Sequence, residues 1–337
     1  MENLSALKQI LHVPQDVVIL THRNPDGDAI GSSLGLSLWL QKHGHSVKVV
    51  APSEYPDFLA WMPQADDILI YDAEPEETTR AIQRASLIFC LDFNGLDRID
   101  KAGEVVAALR VPKVMIDHHL FPEPFADYVL SDTKASSTCE LILDFVQLMD
   151  AEKDLDATIG ECLYAGILTD TGSFKYSTSP ALFRKAAALL ELGVDDVKLQ
   201  DLIFNSMSEK QLRILGHCLY NRMEIISEYQ TAIVTLSKDD YAHFDIKRGD
   251  TEGVVNFLLK MRGIKLAAFI HEQPTIVKLS LRSKGDIDVQ EIAKRHFRGG
   301  GHKNAAGGAS FHGLRATLRR FKEVLPQYMQ QLSNQGS

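Results

Sequence analysis

Short apolar runs alternate with helical patterns along the first half of this chain. The runs occupy residues 17–20, 46–51, 67–72, 86–93 and 113–119. Continuous apolar character over so few residues is typical of strands that are buried on both faces, and helices between them supply the crossovers of a parallel sheet. The pattern therefore predicts an α/β fold with a mostly parallel sheet flanked by helices.

The sequence pattern of the rest of the chain predicts a second domain. At 337 residues the chain is too long for one hydrophobic core. Residues 195–225 contain no proline and no strand-like run, so we expect them to be almost wholly helical, within a helical linker over residues 191–227. Strand-like and helical runs then alternate again. We predict an N-terminal domain over residues 1–190 and a smaller C-terminal α/β domain over residues 228–337.

Composition and charge exclude several classes of protein. The formal net charge of −9 argues against a protein that coats long duplex nucleic acid. No apolar run approaches the roughly 20 residues that span a bilayer, and the N-terminus lacks the pattern of a signal peptide. The four cysteines are far apart and form no Cys-x-x-Cys pair, which is typical of reduced thiols in a cytoplasmic protein.

Carboxylate and imidazole side chains gather where predicted strands end. They follow the first, fourth and fifth apolar runs and close a later helical segment: His22, Asp26, Asp28, Asp92, Asp117, His118, His119 and Asp170. Because ligands of open parallel sheets bind beyond the carboxyl ends of the strands, we expect these side chains to meet at one edge. Two of them also have simpler interpretations, since Asp26 lies in a Pro-Asp-Gly turn sequence and Asp92 could cap a helix.

A cluster of this composition predicts a metal site. Carboxylates packed together repel one another and take up protons unless cations neutralise them. Oxygen ligands with some imidazole and no thiolate suit Mn²⁺ best, with Mg²⁺, Co²⁺ or Zn²⁺ as substitutes. The number of candidate ligands exceeds one site, so we expect two ions that share a carboxylate, an arrangement used in phosphoryl hydrolysis.

A glycine-rich run near the C-terminus predicts an anion-binding loop. In residues 298–308, RGGGHKNAAGG, Gly300 and Gly301 let the backbone approach an anion closely, and His302 adds a donor. Arg282, in the strand-like run before it, suits bidentate capture of a phosphate. A flexible turn that precedes a buried packing segment is the alternative.

Two aromatic residues follow the last acidic position. Phe174 and Tyr176 could stack on a nucleobase, and ordinary packing in the core explains them equally well. The sequence leaves both interpretations open.

These motifs together resemble the DHH phosphoesterase family. The resemblance rests on His22-x3-Asp26-x-Asp28, on Asp92, on Asp117-His118-His119 and on Asp170, while RGGGHKNAAGG resembles the signature of the associated DHHA1 domain. It covers nearly the whole chain in the right order. Within the family, the chain is most similar to bifunctional oligoribonucleases that also act as phosphatases of 3′-phosphoadenosine-5′-phosphate (pAp).

The resemblance implies a role for each motif. His22 and Asp26 would hold one Mn²⁺, and Asp28, His118 and Asp170 the other, with Asp92 bridging both and a hydroxide between the ions as the nucleophile. His119 would face the scissile phosphate, and Asp117 would orient an imidazole. The catalytic residues implied are Asp92, His118 and His119, and the implied substrate contacts are His119, Arg282, Gly300, Gly301 and His302.

The resemblance also implies an activity. We expect Mn²⁺-dependent hydrolysis of short RNA to mononucleotides and removal of the 3′-phosphate of pAp, with no action on long duplexes and no membrane partner. A phosphodiesterase of cyclic or linear dinucleotides, such as c-di-AMP or pApA, is the first alternative. Hydrolysis of polyphosphate or pyrophosphate and a silent nucleotide-binding module on the same scaffold are further ones. A homodimer is compatible with the sequence.

Overall fold

The chain divides into two compact units, Met1–Ser206 and Met207–Ser337. The structure, a computed structural model, describes residues 3–247 and 249–333, so the first two and last four residues of the predicted domains lie outside the described residues. The division falls inside the segment predicted as a helical linker. Each side of that segment packs into its own unit, since Leu199 belongs to the core of the first unit and Ile214 to a core of the second.

The first unit alternates strands and helices, as the sequence predicts. Its strands are β1 Asp16–Thr21, β2 Ser46–Ala51, β3 Leu69–Ile70, β4 Leu87–Leu91, β5 Lys113–Asp117 and β6 Tyr128–Ser131. Its helices are α1 Leu4–Leu11, α2 Gly27–Lys42, α3 Pro75–Arg84, α4 Asp100–Ala108, α5 Thr138–Leu148, α6 Ala157–Thr171, α7 Pro180–Glu191 and α8 Asp196–Phe204. The sequence patterns did not predict β6.

The six strands form one parallel sheet in the order β3-β2-β1-β4-β5-β6. Alternate residues of each central strand enter different cores. Ile19 and Phe89 pack with α2, α5 and α6, whereas Val18 and Ile88 pack with α3 and α4 on the opposite face. The predicted mostly parallel sheet flanked by helices is therefore confirmed.

Helices α2 and α6 approach each other closely through glycines. A methyl group at Gly31 of α2 would lie 2.4 Å from the carbonyl oxygen of Cys162 in α6. One at Gly166 would lie 2.2 Å from Cys139 Sγ and 3.0 Å from the Cα of Asp28. Only glycine permits this backbone contact, which brings the C-terminal turn of α6 beside the first turn of α2.

The second unit is a smaller α/β body, as predicted. Its strands are β7 Met223–Ile226, β8 Thr231–Leu236, β9 Leu266–Glu272, β10 Val277–Ser283, β11 Gly300–His302 and β12 Ala305–Ser310. Its helices are α9 Glu209–Asn221, α10 Lys238–His243, α11 Val254–Leu259, α12 Val289–His296 and α13 Leu314–Ser333. The sheet has the order β11-β12-β10-β9-β8-β7, and only the β8–β9 pair is parallel among the pairs described.

Two local predictions about this part of the chain are wrong. Residues 195–225 are not wholly helical, because Met223–Ile226 form β7 and pair with β8 at the edge of the sheet. The glycine-rich run, predicted to be a loop, is a hairpin instead. Gly300–His302 and Ala305–Ser310 are paired strands, because small side chains let the two backbones lie close to each other.

The four cysteines are buried and unbonded, as expected for reduced core thiols. Within residues 3–247 and 249–333, no helix combines the length and the apolar character that crossing a bilayer requires.

Candidate functional site

The candidate ligands converge at one edge of the parallel sheet because β1, β4 and β5 are neighbours. In the register of the sheet, Thr21 at the end of β1 is paired with Leu91 of β4, and Leu91 is paired with Ile116 of β5. Strand β2 lies on one side of β1, and β4 lies on the other side. The connections after β1 and after β4 therefore run in opposite directions, and the edge between these two strands is a topological switch point. Ligands of open α/β sheets bind at such a point.

The first cluster consists of His22, Asp26 and Asp92, whose ligand atoms lie within 4.8 Å of one another. His22 Nε2 lies 3.3 Å from Asp92 Oδ2 and 4.0 Å from Asp26 Oδ1. Asp26 is the N-cap of α2 and its Oδ1 accepts hydrogen bonds from the amides of Asp28 and Ala29. The Pro-Asp-Gly sequence therefore starts a helix. The carboxylate of Asp26 is more than half exposed and also lies near His22.

The second cluster consists of Asp28, His118 and Asp170, within the same 4.8 Å limit. His118 Nε2 lies 3.4 Å from Asp170 Oδ2 and 3.9 Å from Asp28 Oδ2. Asp170 does not follow a strand, unlike the other candidates, because it lies in the last turn of α6. The close packing of α6 on α2 brings it to the edge of the sheet.

Asp92 belongs to the first cluster and also lies next to the second. Its Oδ2 lies 3.3 Å from His22 Nε2, and its Oδ1 lies 3.5 Å from His118 Nε2. The residue follows β4 with a left-handed backbone (φ 63°), a conformation that aspartate tolerates better than most residues. One buried carboxylate thus presents one oxygen to each group of ligands.

The N-terminus of α5 positions two of these carboxylates, which the sequence did not predict. The amides of Thr138 and Cys139 donate to Asp28 at 2.6 and 2.8 Å, and the Thr138 hydroxyl donates to Asp92 Oδ1 at 3.0 Å. Ser137 caps the helix, while Glu140 accepts from the amide and hydroxyl of Ser136. The only sequence signal was the run of hydroxyl residues before a helix, which is typical of any N-cap.

A fixed imidazole lies next to the clusters. His119 Nδ1 lies 2.7 Å from Asp117 Oδ1, and the His119 amide donates to Asp117 Oδ2. Asp117 is fully buried at the end of β5, so this pair holds the ring in one orientation. His119 Nδ1 also lies 3.7 Å from Asp92 Oδ1.

The electrostatics of the clusters suit cations. Burial and the nearby charge of Asp92 raise the pKa of Asp28 to about 7, and burial with the charge of Asp28 raises that of Asp170. Burial also opposes charge on the imidazoles, yet Asp92 outweighs it and raises the pKa of His22 to about 9 and that of His118 to about 11. The pKa shifts of Asp28, Asp170, His22 and His118 thus all favour bound protons, which reflects the concentration of negative charge at these residues. Divalent cations that take oxygen and nitrogen ligands fit such a place.

In the second unit, Arg282 and His302 share a row across three strands. Arg282 of β10 lies directly opposite Ala305 of β12, and Ala305 lies directly opposite His302 of β11. Residues directly opposite in antiparallel strands point to the same face, so both side chains extend to one side with only a methyl group between them. Burial lowers the pKa of Arg282, whose Nη1 donates to the carbonyl of Leu281.

Gly300 and Gly301 beside this row are exposed, and glycine is structurally required at two positions, Gly299 and Gly301. A methyl group at Gly299 would lie 1.9 Å from the carbonyl oxygen of Gly307, and Gly301 has a φ of 138°. Gly300 has open space around its Cα. Gly300, Gly301 and His302 therefore form an exposed strand of small residues, whose backbone a ligand can reach.

Two domain families match this chain. Residues 16–167 match the DHH family, N-terminal domain, and residues 228–331 match the DHHA1 domain. Across nearly the full length, the bifunctional oligoribonuclease and PAP phosphatase NrnA of Thermus thermophilus is 30% identical, over 99% of this chain and 96% of that protein. This chain belongs to the DHH family of metal-dependent phosphoesterases.

Other DHH-family relatives differ in their named activities. The cyclic-di-AMP phosphodiesterase GdpP of Geobacillus thermodenitrificans is 26% identical over 96% of this chain and 49% of that protein. The crystal structure of an exopolyphosphatase-related protein from Bacteroides fragilis is 38% identical, with a TM-score of 0.95 over 98% of this chain and 97% of that one.

Proposed function

We propose that this DHH-family enzyme uses Mn²⁺ to hydrolyse short oligoribonucleotides to mononucleotides and to remove the 3′-phosphate of pAp. The observation that carries the proposal is the pair of ligand clusters on either side of Asp92, at the switch point of the sheet. The similarity to NrnA over both chains supports this substrate class.

Six residues are proposed as the metal ligands. His22, Asp26 and Asp92 would hold one ion, and Asp28, His118, Asp170 and the second oxygen of Asp92 the other. Two bound cations supply a low pKa for an attacking water and neutralise the charge of a phosphate ester. The amides of α5 keep the Asp28 carboxylate in place, so the ligand geometry exists before the ions bind.

His119 is proposed to contact the phosphate rather than an ion. Asp117 Oδ1 lies within hydrogen-bond distance of His119 Nδ1, which holds the ring in one orientation and leaves Nε2 turned away from this carboxylate. A donor fixed in this way can stabilise the negative charge that develops on a phosphate oxygen, without reorganising during the reaction.

The row in the second unit is proposed to contact a phosphate of the substrate. Arg282 offers a guanidinium, His302 a ring donor, and Gly300 and Gly301 an accessible backbone. Both pAp and an oligonucleotide carry phosphate groups, so this assignment fits either substrate. Relatives named for cyclic-di-AMP and for exopolyphosphatase make dinucleotides and polyphosphate the substrates to compare.

The substrate assignment is tested by comparing turnover of the Mn²⁺-loaded protein on five kinds of substrate. These are RNA dinucleotides to pentanucleotides, pAp, c-di-AMP, pApA and polyphosphate. We expect AMP from pAp and mononucleotides from the short RNA, with turnover removed by chelation and restored by Mn²⁺. Faster turnover of c-di-AMP would favour the dinucleotide alternative, and turnover of polyphosphate alone would contradict both.

The proposal also covers substrate size and compartment. We expect a long RNA duplex to be a poor substrate, since the net charge of −9 opposes binding of a long polyanion. Four buried, unbonded thiols suit a reducing compartment such as the cytoplasm. Competition of duplex RNA against a labelled dinucleotide measures the first expectation directly.

A further inference from the structure

The segment that follows Asp170 has an unusual backbone. Gly172 ends α6 in the left-handed region with φ 56°, and the amide of Ser173 closes the helix by donating to Leu168. A helix end of this kind needs one left-handed residue. Here Ser173 and Phe174 are also left-handed, with φ of 60° and 58°, although side chains disfavour that region. The helix end alone does not account for this conformation.

Thr171 and the core hold the segment in this conformation. The Thr171 hydroxyl accepts from the amide of Phe174, and the Thr171 carbonyl accepts from the amides of both Lys175 and Tyr176. The Phe174 ring packs between Tyr164, at 5.9 Å, and Phe183, at 5.4 Å between ring centroids. Of the two aromatics that the sequence left open, Phe174 is thus a packing residue that anchors the segment.

Tyr176 is presented differently. Its ring lies against the backbone of Gly172, where a methyl group would come within 2.9 Å of the ring carbons. Tyr176 nevertheless remains 64% exposed. The anchored segment therefore places a large ring on a glycine, with most of its surface open to solvent.

The glycine under this ring lies close to one proposed metal ligand. Only Thr171 separates Gly172 from Asp170, so the Cα atoms of Gly172 and Asp170 lie within about 7 Å of each other. A nucleotide places its base at a comparable distance from its phosphate. An exposed ring here can therefore meet the base of a nucleotide whose phosphate lies at the clusters.

We propose that Tyr176 is a stacking platform for a nucleobase and makes the site select phosphates that carry a base. The proposal rests on the proposed function and deepens it, since it names the residue that distinguishes nucleotides from base-free phosphates. Stacking on an aromatic ring accepts every base, because every base has a π-face. The platform thus fits a site that acts on short RNA irrespective of sequence.

The experiment compares two ligands that differ only in the base. Binding of AMP and of ribose 5-phosphate to the Mn²⁺-loaded full chain is measured by calorimetry, for the native protein and for Tyr176→Ala, Tyr176→Phe and Tyr220→Ala. Tyr220 is the matched control, because it is a 91% exposed tyrosine of the second unit. Calorimetry reports affinity without requiring turnover.

We expect the base to contribute through Tyr176 alone. Tyr176→Ala should weaken AMP about five- to thirty-fold, the effect of losing one base-stacking contact, and leave ribose 5-phosphate unchanged. Tyr176→Phe and Tyr220→Ala should bind both ligands as the native protein does. Equal weakening of both ligands in Tyr176→Ala would show a structural role, and that result or an unchanged AMP affinity would overturn the platform.

The two proposals fail in different measurements. A native protein that prefers AMP through Tyr176, but hydrolyses neither short RNA nor pAp, would refute the proposed function and leave the platform standing. Hydrolysis of short RNA with no preference for AMP over ribose 5-phosphate would refute the platform alone.

Discussion

The two sheets of this protein place their candidate residues by opposite means. In the first unit, His22, Asp92 and His118 meet because the parallel strands before them end at one edge, and helices α2 and α6 add Asp28 and Asp170. In the second sheet, Arg282 and His302 meet through the register of neighbouring antiparallel strands. Parallel topology therefore gathers distant residues into a buried site, whereas antiparallel pairing gathers near ones on an exposed surface.

The pKa values of buried carboxylates also differ between the two units. In the first unit, burial and neighbouring acids raise the pKa of Asp28 to about 7. In the second, burial also opposes ionisation of Asp240, but Arg222, Ser237 and His217 donate to its carboxylate and lower its pKa to about 2. The clusters of the first unit can thus take metal cations from solution to neutralise their carboxylates. The carboxylate of Asp240 is instead neutralised by a side chain of the protein, that of Arg222.

The largest expected effect tests whether one carboxylate serves both clusters. Asp92→Asn keeps a residue that tolerates the left-handed backbone and removes the charge. We expect turnover to fall about 10³-fold or more, because metal-ion stabilisation is worth several kcal/mol. Elemental analysis should show metal lost from both clusters. Asp97→Asn, an exposed aspartate on the same loop, is the control and should retain metal and activity.

A smaller loss is expected from Asp117→Asn, which leaves every proposed ligand intact. The ring of His119 would lose its charged partner, and removing such an orienting group typically lowers activity about 10- to 100-fold. Steady-state kinetics should show the loss in kcat, with metal content unchanged. In a His119→Gln background the same change should add little, since both act through one contact. Additive losses would contradict the positioning role.

The second unit is probed by a pair of glycine substitutions. Gly299→Ala places a methyl group against the Gly307 carbonyl and should destabilise the β11–β12 pair by about 1–3 kcal/mol, as overpacking does. Gly300→Ala meets no neighbour and should keep stability within about 0.5 kcal/mol. Hydrogen exchange of the β12 amides measures both. Equal protection in the two variants would show that close backbone contact does not hold this edge.

The smallest effect concerns pH. Because the folded-state pKa of Asp240 lies below its unfolded value, its contribution is complete above about pH 4 and is lost as the pH falls toward 2. Asp240→Asn should remove about 1–2 kcal/mol of stability at neutral pH and flatten the acid dependence in that window. Urea unfolding followed at pH 6 and at about pH 2.5 tests this. An unchanged slope would mean that other groups govern acid unfolding there.

Sequence reasoning succeeded where the signal was local and periodic. The apolar runs predicted β1, β2, β4 and β5, and motif spacing selected the residues that the structure brings together in the two clusters. The edge strands β6 and β7 contain only short apolar stretches, and none of their residues is fully buried, so they lack the pattern of the central strands. The hairpin of the glycine-rich run was missed because glycine and alanine carry little strand preference.

The sequence by itself determined which residue types follow which strands, and hence that carboxylates and imidazoles would share one edge of a parallel sheet. Only the tertiary structure showed which contacts between elements hold them in place. The close contact of α2 with α6 adds Asp170 from a helix, and the amides of α5 fix Asp28. It also separated Phe174, which packs in the core, from the exposed Tyr176. Periodicity reports which face a residue occupies, whereas distances between elements depend on packing that no local pattern encodes.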